Sequence, residues 1–140
     1  MSPEIDAKIR ASFAKQSMMQ TMGATVADVS DGSVTLAAPV LETCQQQHGF
    51  GHAALTFGLG DSAAGYSALS VMPLEAEVLT SEMKIHLLAP AQGERLEAVG
   101  KVIKPGKRLV IVQAEVFAIA GTKRTQIALM TGTMVPILPK

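Results

Sequence analysis

The sequence predicts an α+β chain: six antiparallel strands wrapped around one long central helix, with a short helix in front. Three observations predict it. One stretch, His52 to Leu69, is apolar or small on every side and lacks any Lys or Arg. Several runs with period-two alternation follow it, and two more precede it, separated by turn residues. A helical spacing of apolar residues opens the chain.

The opening segment, Pro3 to Met19, carries Ile5, Ile9, Phe13 and then Met18 at helical spacing, and Ser2-Pro3 is a sound helix start. It is expected to form one short amphipathic helix. Ala24 to Ser30 and Ser33 to Ala38 are β-branched runs around Asp31-Gly32, a strong hairpin signal. Pro39 to Gly51 has no clean period and is expected to be a loop. The central helix ends near Ser70, before Pro73. Val78 to Leu88 then alternates, with Met83, Ile85 and Leu87 on one face and Lys84 and His86 on the other. Arg95 to Ile103, Leu109 to Ala120 and Thr125 to Val135 complete the strands. The expected layout is a hairpin, a helix and a four-stranded meander. A six-stranded antiparallel sheet curled around one long helix is a hotdog fold, and such chains commonly pair edge to edge, which removes an exposed edge.

Composition narrows the function. The chain has 140 residues, the size of a single domain over 1–140. Hydrophobic residues make up 48% and charged ones 17%, little enough charge to expect another subunit over part of the surface. Net charge is zero and no basic stripe is present, which argues against nucleic acid. No run is both long and apolar enough to span a bilayer. The single cysteine, Cys44, cannot build a disulfide or a zinc site alone. The charged start, Met1 to Lys8, lacks a signal-peptide core, so a cytoplasmic protein is expected.

Asp61 is the residue that points to chemistry. An ionised carboxylate inside an apolar helix costs several kcal/mol unless it is paired or hydrated, and no local cation pairs with it. Residues 46–61, Gln-Gln-His-Gly-Phe-Gly-His-Ala-Ala-Leu-Thr-Phe-Gly-Leu-Gly-Asp, resemble the central motif of the PaaI-type acyl-CoA thioesterases. That family shows His-Gly-Gly with an Asp or Glu nine residues after the His. His52-Ala53-Ala54 stands at the first position and Asp61 at the second. Ser62 to Ala68 and Thr80 to Ala91 also look like family sequence. The resemblance covers most of the chain after Ala24. Two positions depart from it: Gln46 stands where the family often has Asn, and Ala53 where it has Gly. Alanine keeps the N–H but adds a methyl group.

The implied reaction is hydrolysis of an acyl-CoA thioester, with no metal and with coenzyme A as part of the substrate. Asp61 would act as general base or nucleophile. The Ala53 amide, at a helix N-terminus, would hold the oxyanion. Ala53 and Asp61 are eight residues apart on one helix, roughly 12 Å at about 1.5 Å per residue. One thioester carbon cannot be reached by both groups of one chain. The site is therefore expected between subunits of a homodimer, or of a dimer of dimers, with Gln46, His52 and Ala53 from one chain and Asp61 and Thr80 from its partner. Thr80 matches a family hydroxyl position. His52 is expected to brace the loop, and Gln46 to orient the water or the carbonyl. Lys104, Lys107 and Arg108, around Pro105-Gly106, are the cations available for coenzyme A phosphates. A hotdog hydratase-dehydratase and a non-catalytic acyl-ligand binder are the alternatives.

Overall fold

A computed structural model describes residues 1–140. The elements are α1 (Pro3–Ala14), α2 (Ser17–Thr21), β1 (Thr25–Ser30), β2 (Ser33–Pro39), α3 (Ala53–Leu69), β3 (Glu77–Leu87), β4 (Arg95–Pro105), β5 (Val110–Ala120) and β6 (Lys123–Ile137), with a 3₁₀ turn at Glu42–Cys44. The six strands form one antiparallel sheet around α3, the expected hotdog architecture. The Asp31-Gly32 hairpin forms as predicted, with Gly32 at φ 72°, a conformation that glycine adopts without a Cβ penalty.

Three expectations are corrected. The N-terminal segment is two helices rather than one. α1 stops at Ala14, and Gln16 is extended (ψ 101°) before α2 begins. The resulting elbow places Ser12 and Gln16 on the hydroxyl of Tyr66. The last four strands are not a meander either. The sheet order is β1-β2-β4-β5-β6-β3, so β4, β5 and β6 run consecutively while β3 lies beyond β6 at the far edge. The link from β3 to β4, residues 88–94, is longer than the two to five residues of a hairpin and contains Pro90. It carries the chain back across the sheet, so that β4 pairs with β2.

The third correction concerns α3, which is not wrapped on every side. Its last turns, from Ala63 to Ser70, are buried throughout. Its first turns leave Ala53, Ala54 and Phe57 exposed and Gly58, Asp61 and Ser62 half-exposed, all along one flank. The helix packs closely on the sheet where it lacks side chains. Gly60 faces Met130 and Val116, and Gly100 of β4 lies against the Ala63 backbone. Val34, Leu36, Leu96, Ala98, Val112, Ala114, Val116 and Met130 supply the sheet side of the core, all with no measurable exposure. No helix is long and apolar enough to cross a membrane.

Candidate active site

Asp61 lies midway along α3 on the open flank and is half-buried. Its neighbour across the fold is Thr80 of β3, whose Oγ1 donates to Asp61 Oδ1 at 2.8 Å. The same hydroxyl lies 3.3 Å from Met134 Sδ. A hydroxyl has one proton, and the carboxylate is much the stronger acceptor, so the proton belongs to Asp61. Thr80 reaches inward because the pairing of β3 with β6 shifts by one residue between Thr80 and Glu82. A bulge of this kind re-aims a side chain. Asp61 Oδ2 has no partner within the chain. Burial pushes the Asp61 carboxyl above its ordinary value, and the Thr80 hydrogen bond pulls partly the other way. Asp61 lines a cavity of about 280 Å³ together with Ser12, Gln16, Tyr66, Glu77, Val78 and Thr80.

The other end of the open flank is the start of α3. His52 is the residue before the helix (φ −65°, ψ 148°), and its Nδ1 accepts the Ala54 amide at 2.8 Å. The amides of Leu55 and Thr56 bond to the His52 carbonyl. Ala53 is left as the one amide of the first turn with no acceptor in the chain. It is exposed, and it carries the positive end of the helix dipole. Histidine is not among the strong helix-capping residues, so no sequence signal pointed to this cap. The cap takes up Nδ1, which leaves Nε2 as the free ring nitrogen.

Gln46 sits beside Ala53. Both line a cavity of about 540 Å³ bordered by Phe50, Thr56, Leu87, Leu88 and Pro90. The Gln46 side-chain carbonyl accepts from the His48 and Phe50 amides and so holds the loop closed. Its NH₂ group has no partner in the chain and remains a free donor. The sequence places Gln46 beside the reacting group without foreseeing that its oxygen is already used.

The predicted residues thus fall into two groups. Gln46 and Ala53 share one cavity, with His52 capping the helix beside it. Asp61 and Thr80 share another. Lys104, Lys107 and Arg108 lie elsewhere: Lys107 lines a third depression with Val71, Met72 and Pro73, beyond the C-terminal end of α3. No cluster of His, Cys, Asp and Glu is arranged to hold a metal ion. Sequence reasoning did not foresee that the apolar residues around the two halves, Phe57, Leu79, Leu87 and Leu88, are 36–60% exposed. Alternation marks Leu87 as inward-facing, but nothing in the sequence shows that β3 has a neighbour, β6, on one side only.

Residues 48–124 match the thioesterase superfamily. The chain belongs to that family. A thioesterase family protein from Silicibacter pomeroyi is 40% identical, with 96% of this chain and 99% of that chain covered and a TM-score of 0.95. Two more distant structures share the fold. One is the Escherichia coli PaaI protein from the phenylacetic acid degradation operon, at 19% identity, 96% and 94% coverage and a TM-score of 0.85. The other is a thioesterase from Haemophilus influenzae, at 13% identity, 91% and 87% coverage and a TM-score of 0.82. No curated protein sequence matches the chain. The resemblance to PaaI-type hotdog thioesterases therefore stands, and the general reaction of this thioesterase is hydrolysis of a thioester.

Proposed function

We propose that this thioesterase hydrolyses acyl-coenzyme A in a site built across a homodimer. The observation that carries the proposal is the separation of the free Asp61 carboxylate oxygen from the free Ala53 amide. They are eight residues apart on one helix, roughly 12 Å at about 1.5 Å per residue, and they line different cavities. A neighbouring copy brings the missing half. β3 offers an eleven-residue edge with no partner on its outer side, and the apolar flank of α3 lies beside it. An open edge of this length invites pairing.

In the shared site the Asp61 carboxylate takes a proton from water, and the water oxygen attacks the thioester carbon. The carbonyl oxygen becomes an oxyanion and accepts hydrogen bonds from the partner's Ala53 N–H and from the NH₂ of the partner's Gln46. Collapse of this intermediate breaks the C–S bond, and the proton held on Asp61 passes to sulfur. Thr80 keeps the carboxylate oriented. His52 holds the Ala54 amide and so presents Ala53 alone. Lys107 lies beyond the C-terminal end of α3, and with Lys104 and Arg108 it is the cationic group offered to the coenzyme A phosphates. Exposed Ile103 and Ile111 on the outer sheet face, with exposed Leu109 in the β4–β5 turn, support pairing of dimers.

The test is thiol release from a panel of acyl-CoA esters. Asp61→Asn should lower kcat by about 10²–10⁴-fold. Mixed with Ala53→Pro subunits, it should recover about one quarter of wild-type activity, since half the dimers are hybrids and each hybrid holds one intact site. No recovery in confirmed hybrids overturns the shared site.

A further inference from the structure

Between α2 and the first turns of α3 lies a recess of about 370 Å³, lined by Met18, Met22, Cys44, Ala54, Leu55 and Gly58 among others. We propose that this recess receives the acyl group and selects uncharged, apolar acyl chains of medium length, with Gly58 and Met22 setting the depth. The inference rests on the acyl-CoA reading above and names the substrate class of that site.

Three observations point this way. The recess adjoins the reaction centre, because Ala54 on its wall follows Ala53 and His52 borders it. Its ten lining residues include no Asp, Glu, Lys or Arg. The cavity around Asp61 is the opposite: it holds the carboxylates of Asp61 and Glu77, and its Ser12, Gln16 and Tyr66 groups bond to one another. A hydrocarbon chain placed there would strip water from two carboxylates. The cavity beside Ala53 and Gln46 is left for the thioester and the arm leading to it. The recess volume lies at the small end of the usual ligand-pocket range of about 300–1,000 Å³.

Depth is set by a missing side chain. A Cβ built on Gly58 would lie 3.6 Å from Met22 Sδ and 3.7 Å from Met22 Cε. That is ordinary contact with the end of a flexible side chain, so a larger residue at 58 grows against Met22 and takes up the floor of the recess. Methionines on the opposite wall adapt to the chain that enters.

The experiment uses two non-hydrolysable thioethers, S-octyl-CoA and S-ethyl-CoA. Each buried methylene tightens binding about fourfold when fully desolvated, the equivalent of about 0.8 kcal/mol. S-octyl-CoA should therefore bind the wild-type protein at least about tenfold tighter than S-ethyl-CoA. In folded Gly58→Leu that ratio should fall to within about twofold. Cys44, the only thiol in the chain, gives a second readout needing no variant. At saturation S-octyl-CoA should slow its alkylation several-fold more than S-ethyl-CoA does. A wild-type ratio near one, unchanged Cys44 alkylation, or a ratio kept in folded Gly58→Leu each overturns the proposal. If no acyl-CoA is hydrolysed while the ratio and the protection persist, the catalytic reading fails and the recess stands.

Discussion

The two halves of α3 make an instructive contrast. From Ala63 to Ser70 every residue is buried, and Ala63, Ala64, Ser67 and Ala68 show no exposure at all. From Ala53 to Ser62 one flank stays open and carries both the free amide and the carboxylate. The same apolar, small-residue composition serves both halves. In the second half, small side chains let the sheet approach the helix backbone. In the first, they leave the start of the helix uncovered. The proposed chemistry is confined to the half that the fold leaves unfinished.

The largest effect should come from forcing the sealed half apart. A Cβ on Gly100 would lie 2.2 Å from the Ala63 carbonyl oxygen and 2.6 Å from the Ala64 nitrogen, all backbone. Gly100→Val has no side chain to push aside, so β4 and α3 must separate. Urea unfolding should show a loss of about 3 kcal/mol or more, or no folded protein at all. Ala54→Val adds comparable bulk to the open half and should cost under about 1 kcal/mol. Equal losses at the two positions would erase the contrast.

Next in size is the loss of the single free amide. Ala53 is the first residue of α3, and His52 before it is already extended, so proline fits there. Ala53→Pro should keep the thermal unfolding transition near wild type while kcat falls about 10²–10³-fold. If the rate is unchanged, the oxyanion does not sit at this helix end.

Much of this division was legible in the sequence, though not all for the same reason. Asp31-Gly32 announces its hairpin because the turn is chosen by two adjacent residues. Asp61 stands out because a charge in an apolar helix is costly wherever the helix lies. The eight-residue spacing from Ala53 already pointed to the proposed second chain. What could not be read were pairings across the fold. β3 leaves α3 for the far edge beside β6, and nothing in its alternation distinguishes that edge from a place beside β4. The open flank of α3 follows from that edge, so the helix reads as fully wrapped when only its last turns are. Thr80 reached the candidate list through resemblance, since a bond across nineteen residues leaves no local mark. The His52 cap left no signal, because imidazole seldom plays that part.

The smallest effect concerns pH and tests whether the open half tunes its own carboxylate. Burial raises the Asp61 pKa above its ordinary value of 3.8, and Thr80 holds it partly down by bonding to the charged form. Only ionised Asp61 accepts a proton from water. On the acid side kcat/KM should therefore rise with pH through a limb lying above the ordinary carboxylate range. Thr80→Val removes the bond that favours the charged form, so the limb should move to higher pH, with a loss of only about three- to tenfold at neutral pH. Stability reports the same titration with the opposite slope. Because the folded pKa exceeds the unfolded one, the contribution of protonated Asp61 is complete below the unfolded value and disappears as pH rises through the folded one. In urea titrations Asp61→Asn should lack that decline and match or exceed the wild type at pH 7. A limb that stays in place in Thr80→Val would show that the hydroxyl orients the carboxylate without tuning it.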